Sequence, residues 1–426
     1  MTDTAPDTAT GSSDPIVAAL QRAYAASFEL ELLKGSERNR GIVAIADAIE
    51  SQIPAILEAN TLDLEASREM AVSELILDWL KLTPERLKET VELLRQLVEL
   101  TDPLQRVSNA PYQLSGYQSY YQRMPLGVIG LIHEAFPELG AIAAGLCLKT
   151  GNSLMIRGCG DASNSNTLIS QIMQIALADA GFPSGCVESV SSEQGCTVQK
   201  LVTQDRYLNL VIPYGRPSLI QQVVQQATAP VLRTTMGNCY LYLSPTGDTD
   251  LAHWIITDSH RYEPDAVNAV EKVLISPEQK PSSLIGLFKS LQDQGFRLKG
   301  DTELVKEFPE HLDPTRGTEW RSSYLDRVVA FRVVDDLAAA IALINRSSGG
   351  HADCIVTESY QESRQFATEI DSALVYVNSS PRFSRHPQGS DSVFLGMSNQ
   401  KGNHRGLIGL ESFTTVKQVV QGDGRI

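Results

Sequence analysis

Residues 124–137, MPLGVIGLIHEAFP, and residues 146–158, LCLKTGNSLMIRG, change the pattern of this chain from helical to strand–helix–strand. Leu126 to Ile132 is a near-continuous apolar run, as a strand buried on both faces requires. A helix is expected over Leu139–Lys149, then a strand over Ser153–Arg157. Gly158-Cys159-Gly160 turns the chain into a helix over Ser163–Ala180, closed by Gly181-Phe182-Pro183, and Leu208–Ile212 reads as a further strand. Alternation at this spacing predicts a parallel sheet with right-handed crossovers.

Upstream the periodicity is helical. Asp14 caps a helix with Pro15 at its first position, and Ile16, Ala19, Leu20 and Ala23 share a face. Ser36 opens a second helix in which Ile42, Ile45, Ile49, Ile53 and Ile56 line up. Shorter helices are expected over Ser73–Leu82 and Thr83–Leu100, ended by Asp102-Pro103. Gly116–Gln122 alternates around repeated tyrosines and predicts an exposed strand. Downstream a second α/β unit is expected. It has strands over Cys239–Leu243, Lys272–Ser276, Val328–Val334, Asp353–Thr357 and Ala373–Asn378, and helices over Thr249–Ser259, Asp335–Asn345 and Gln361–Glu369. Ser412–Gln421 alternates again and predicts a final exchange strand.

A length of 426 residues suits two domains plus an appendage. The formal net charge of −15 argues against a nucleic-acid surface, because phosphate binding needs clustered Lys and Arg. Six cysteines without a C-x-x-C pair predict buried free thiols in a reducing compartment. Seven scattered histidines offer no metal-ligand spacing. Met1–Asp14 reads as a polar, disordered tail rather than a signal peptide, and no apolar run suits a membrane span. A cytoplasmic location with no membrane, metal or nucleic-acid partner is therefore expected.

The two opening segments recur with Tyr324-Leu325-Asp326, Ile344-Asn345-Arg346, residues 351–358 (HADCIVTE), Val375-Tyr376-Val377-Asn378, Arg405-Gly406, Gly409-Leu410-Glu411 and Thr414, in one order along the chain. In this set the chain resembles γ-glutamyl phosphate reductase (glutamate-5-semialdehyde dehydrogenase), a branch of the aldehyde dehydrogenase superfamily. The resemblance implies an α/β fold of that type: an open Rossmann-type cofactor domain, a second α/β catalytic-type domain and a β-arm for oligomerisation. The implied division is a tail over 1–14, a first domain over 15–235 with the arm strand at 116–123, a second over 236–385, and a return segment over 386–426. It also implies NADPH-dependent reduction of γ-glutamyl phosphate to glutamate 5-semialdehyde in proline biosynthesis, and pairing through the arm into a homodimer or larger homo-oligomer.

The same resemblance exposes departures. In the stretch RYEPDAVNAVE (261–271) the family's cysteine nucleophile stands as Val267, while Asn268 and Glu271 remain. A side chain without a lone pair cannot attack a carbonyl. Where relatives carry a basic residue and an amide for the substrate phosphate, this chain has Phe136 and Glu138, which disfavour an anion. Arg216 stands two places from the expected charge of the P-R-G-G turn, and His351 and Arg405 complete the expected substrate side. On the cofactor side Arg157 and Gly158 are candidates for the NADP(H) ribose or its 2′-phosphate. Phe394 occupies the position of the glutamate that would hold the nicotinamide ribose, and Asn403 and His404 alter the H-A-R-G run. These positions predict a binding or regulatory pseudoenzyme, partnered by itself, an active reductase paralogue or glutamate 5-kinase. Two alternatives stay open: a working glutamate-5-semialdehyde dehydrogenase that uses other groups, with Cys239 and Cys354 in expected strands as the candidate thiols, and a dinucleotide-binding enzyme of different chemistry.

Overall fold

The computed structural model describes residues 14–109, 117–191, 195–261, 265–387, 389–402 and 404–422. The expected tail through Ser13, Gly116 of the arm, Tyr262, Glu263 and Pro264 of the altered loop, and Asn403 lie outside the described residues.

Five helices lead the chain: α1 (Pro15–Leu32), α2 (Gly35–Ser51), α3 (Ile53–Glu69), α4 (Glu74–Leu80) and α5 (Pro84–Glu99). The start signals act as expected. Asp14 accepts the Ile16 amide at 3.1 Å and Thr83 accepts the Arg86 amide at 3.2 Å. The single helix expected from Ser36 through Ile56 is instead two. The chain breaks at Gln52, and Pro54, which has no N–H to give, sits in the first turn of α3. The isoleucines still share one core, because Ile56 reaches it from the second helix.

Short β1 (Val107–Asn109) and the long β2 (Tyr117–Pro125) follow. The quoted stretch then builds β3 (Val128–His133), α6 (Leu139–Lys149), β4 (Ser153–Arg157) and α7 (Ser163–Asp179), continued by β5 (Val187–Ser189), α8 (Val198–Val202), β6 (Leu210–Tyr214) and α9 (Pro217–Gln226). These strands form a parallel sheet in the order β5-β4-β3-β6. All six residues of β3 are buried, as its unbroken apolar run requires.

The next strands and helices are β7 (Cys239–Leu243), α10 (Thr249–Ser259), β8 (Val270–Ile275), α11 (Pro281–Asp293), β9 (Arg297–Gly300), α12 (Thr302–Glu307), β10 (Asp313–Pro314), β11 (Val328–Val333), α13 (Leu337–Ser347), β12 (Ala352–Val356), α14 (Tyr360–Glu369) and β13 (Leu374–Val377). They form a seven-stranded parallel sheet in the order β10-β9-β11-β8-β7-β12-β13, with a separate apolar core on each face. The chain then returns to the first sheet. β14 (Gly396–Ser398) pairs with β15 (Gly406–Ile408), and Val393, Leu395, Met397 and Phe413 join the core of the N-terminal helices. β16 (Thr414–Gly422) pairs antiparallel with β2 along nine residues, Thr414 opposite Pro125 and Gly422 opposite Tyr117. The expected aldehyde dehydrogenase-like α/β class is borne out.

One amide clasps the return segment to the start of β3. Asn152, fully buried, accepts the Gly127 N–H at 2.8 Å and donates to the Phe413 carbonyl at 2.8 Å and to Thr150 at 2.7 Å. Truncating it leaves buried donors and acceptors unmet. Asn152→Ala is expected to lower unfolding stability by about 2–3 kcal/mol, read as a lower urea midpoint at unchanged slope.

Candidate active site

Val267 sits in a tight turn ahead of β8. Its N–H reaches the Asp265 carbonyl at 2.8 Å, and its carbonyl accepts the Gly237 N–H at 2.8 Å. It is fully buried and belongs to the apolar core of the first sheet and the N-terminal helices. Nε2 of His351 lies 3.0 Å from the Val267 carbonyl oxygen and 3.2 Å from Sγ of Cys239. Burial pushes His351 down to about 4, so the ring is neutral near neutrality. Burial, and then the nearby Asp353 carboxylate, push the Cys239 thiol well above its ordinary range.

The two neighbours expected at the site have structural partners. Asn268 donates to the Pro381 carbonyl at 2.8 Å. Glu271, with no exposure, accepts the amides of Asn238 at 3.0 Å, Tyr324 at 2.7 Å and Leu325 at 2.9 Å, and lies 3.4 Å from Lys272 Nζ. Burial raises the Glu271 carboxyl, against the opposing pull of Lys272 and the three amides. Lys272, itself brought down to about 8 by burial, stacks over the Tyr324 ring at 3.7 Å. The Tyr324-Leu325-Asp326 motif thus folds around Glu271.

Two cavities flank this region. One, of about 370 Å³, lies at the carboxyl ends of β3 and β4, lined by His133, Glu134, Arg157, Cys159, Thr197 and Gln222. Ligands of open α/β sheets bind at such strand ends. The other, of about 320 Å³, is lined by Trp79, Arg86, Phe136, Glu138, Asp265 and Arg385 among others. Ala135 and Phe136 both take left-handed backbone, φ 54° and 46°, which is strained for a bulky residue. This turn lays Phe136 flat on Trp79 (centroids 4.9 Å apart, planes 28°) and edge-on to Tyr214 at 5.5 Å. Glu138 stands at the N-cap position of α6 without a side-chain capping hydrogen bond and pairs with Arg86 at 2.5 Å. Arg385 pairs with Asp265, which also accepts the Tyr214 hydroxyl at 2.6 Å.

The remaining candidates disperse. Arg216 pairs with Glu134, and its backbone N–H donates to the same carboxylate at 2.9 Å. Arg405 pairs with Asp371 at 3.1 Å. Phe394 lines a third cavity with Arg106, Asp391 and His404, not the one that holds Arg157. Gly158 is needed for packing, since a Cβ there would meet Asn166 at 2.1 Å. Trp79, Arg86, Asp265 and Arg385 carried no sequence signal, because chain-distant segments bring them together. Among the described residues no group of three or more His, Cys, Asp or Glu could hold a metal ion.

The strand-end cavity fits the ribose-phosphate half of NADP(H): Arg157 offers charge and Thr197 a hydroxyl donor beside an open strand end. For the nicotinamide half, Val267 is enclosed and Phe394 lines a different cavity, so neither of these two candidates stands at the strand-end cavity.

A model of the aldehyde dehydrogenase family matches residues 3–259. Gamma-glutamyl phosphate reductase 2 of Synechocystis sp. is 53% identical, over 96% of this chain and 98% of its own. The gamma-glutamyl phosphate reductase of Gloeobacter violaceus is 38% identical, over 95% of this chain and 96% of its own. The crystal structure of gamma-glutamyl phosphate reductase from Thermotoga maritima superposes with a TM-score of 0.87 at 32% identity, covering 97% of this chain and 100% of that one.

His260 and His351 are both buried and both brought down to about 4 by burial. They stay neutral in the fold, whereas the unfolded chain protonates them near pH 6.5. Their stabilisation is therefore complete above about pH 6.5 and is lost as the pH falls toward 4. His351→Gln is expected to reduce the slope of stability against pH in that window, measured by urea unfolding at steps from pH 7 to 4.

Proposed function

The chain belongs to the gamma-glutamyl phosphate reductase family of aldehyde dehydrogenases, and from that premise we propose that this copy no longer turns over the family's substrate and works as a binding or regulatory protein. One observation carries the reading: Val267, at the position of the family's nucleophile, is a fully buried aliphatic side chain packed into a core. Thioester formation needs a thiolate that displaces phosphate from the acyl carbon, so one hard step becomes two easier ones. Loss of a nucleophile can lower turnover on the order of 10⁶-fold. Against an ordinary turnover of about 10 per second, the remainder would not sustain a biosynthetic step.

The changes on the substrate side support the same reading. Phe136 and Glu138 replace the expected basic residue and amide, and Glu138 is held by Arg86 at the head of α6. A second reading, catalysis through Cys239, has one contact in its favour, the 3.2 Å approach to His351. It is disfavoured because burial, with the nearby Asp353 carboxylate, keeps that thiol protonated, and burial also lowers the basicity of the His351 ring. NADP(H) is retained in this proposal through Arg157 and Gly158. We further assign the chain a first domain over 15–235, a second over 236–385 and a return over 386–426. Self-assembly is assigned to the β2–β16 arm, on which Val416 and Val420 are exposed. The partner is a second copy, an active paralogue or glutamate 5-kinase.

The test is phosphate-dependent reduction of NADP⁺ by glutamate 5-semialdehyde with purified, folded protein. No rate above background is expected. A rate proportional to protein concentration would overturn the proposal. Val267→Cys alone is expected to recover little activity, because Phe136 and Glu138 remain on the substrate side; full recovery would show that the nucleophile is the one deficit.

A further inference from the structure

We propose that the 320 Å³ cavity between α4, α5 and the head of α6 binds a small organic cation, an ammonium or guanidinium head on an apolar body. This rests on the reading that the site has left its anionic substrate behind, and names the ligand class that replaced it.

Charge is the first argument. Five carboxylates and three cationic side chains line the cavity. Two of those cations are already engaged inside it: Arg86 with Glu138 and with the carbonyls of Trp79 and Lys81, Arg385 with Asp265 and the Leu395 carbonyl. The head of a helix ordinarily attracts an anion, because its first amides point outward. Here Glu138 stands at the N-cap position of α6, and its carboxylate makes no capping hydrogen bond but pairs with Arg86, which places a negative group beside the helix head. A phosphoryl group entering the cavity would meet a negative wall.

Unmet hydrogen bonding is the second, independent argument. Two acceptors, Oε2 of Glu138 and Oδ1 of Asp265, and one donor, Nη2 of Arg86, are buried at this cavity without a hydrogen-bond partner among the described residues. Glu138 and Asp265 are 4% and 3% exposed. Buried carboxylate oxygens without donors are costly and rare. Both residues line the same cavity, so one ligand with several N–H donors can serve them. An acceptor-only ligand such as a phosphate dianion cannot.

Shape is the third. Trp79 and Phe136 stack face to face at the wall, with Leu93 and Ile142 beside them. This apolar wall suits the body of the ligand, while the Phe136 ring itself already carries the Arg86 guanidinium at 5.5 Å. The volume lies at the small end of ligand pockets, enough for a group of benzylamine size rather than a nucleotide.

Titration calorimetry of the wild-type chain with benzylammonium and with benzyl phosphate separates the two charge types on one apolar body. Saturable binding of benzylammonium is expected, with benzyl phosphate weaker by roughly tenfold or more. Glu138→Gln, checked for its fold by circular dichroism, is expected to weaken benzylammonium by roughly tenfold and leave benzyl phosphate no weaker. Equal or tighter binding of the phosphate would overturn the proposal. So would failure of benzylammonium to bind at millimolar concentration, or indifference of its affinity to Glu138→Gln in folded protein. The wild-type pair of titrations needs no variant to fold. The semialdehyde assay is independent of both: turnover overturns the functional reading, whereas no turnover with no cation binding overturns only the ligand class.

Discussion

An arginine taken almost wholly out of water must find its charge and its hydrogen bonds inside the protein, and Arg385 sets that demand at the junction of three segments. It is 2% exposed. It donates to Asp265 and to the Leu395 carbonyl, and its guanidinium lies 5.9 Å from the Tyr214 ring and 5.6 Å from that of Phe383. Burial opposes the charge, and the Asp265 carboxylate more than restores it, so the group stays cationic. Removing one partner of such a pair strands the other. The end of β6, the turn that carries Val267 and the chain returning toward β14 are therefore held in one arrangement by a single ion pair. The cavity wall beside it is fixed by the same contact.

This arrangement gives the residues around Val267 structural duties of their own. Glu271 closes three amides from two loops, and His351 ties β12 to the Val267 carbonyl. Asn378, left-handed at φ 51°, bonds the backbone N–H and C=O of Thr357 through its own side chain. Each contact stabilises the fold whether or not a thiolate stands at position 267. Their presence speaks for the scaffold, and the chemistry must be judged from residues that have no such duty.

The legible part of the chain was the part governed by local rules. The apolar run of β3, the Thr83-Pro84 start of α5 and the alternation of β16 follow from burial on two faces, capping and period two, and each element stands where the pattern placed it. Gln52 was not legible as a break, since the isoleucine spacing runs across it and only Pro54 marks the new turn. The seven-stranded sheet was read without β9 and β10, which are short strands among polar residues. At the site, Val267 and its neighbours could be placed from sequence because they share one turn. Arg385 could not be joined to Asp265, 120 residues earlier, nor Arg86 to Glu138, because packing rather than periodicity brings them together. Phe394 and Arg405 were grouped with the site by resemblance, yet the fold gives them partners outside it.

The turn at Ala135 and Phe136 is a constraint set by packing. Two successive non-glycine residues in the left-handed region carry strain of roughly 1–2 kcal/mol each. A turn under no demand would relax it. Here the contacts on both sides hold it. The Ala135 N–H reaches Cys159 Sγ at 3.2 Å, its carbonyl accepts from His133 at 2.8 Å, and the Phe136 N–H reaches the Trp79 carbonyl at 3.3 Å. The Phe136 ring, wedged between Trp79 and Tyr214, is then the side chain that fills the space this backbone opens. The backbone geometry of the site thus follows from packing between α4, β3 and β6, and Phe136 is the side chain it presents at the cavity.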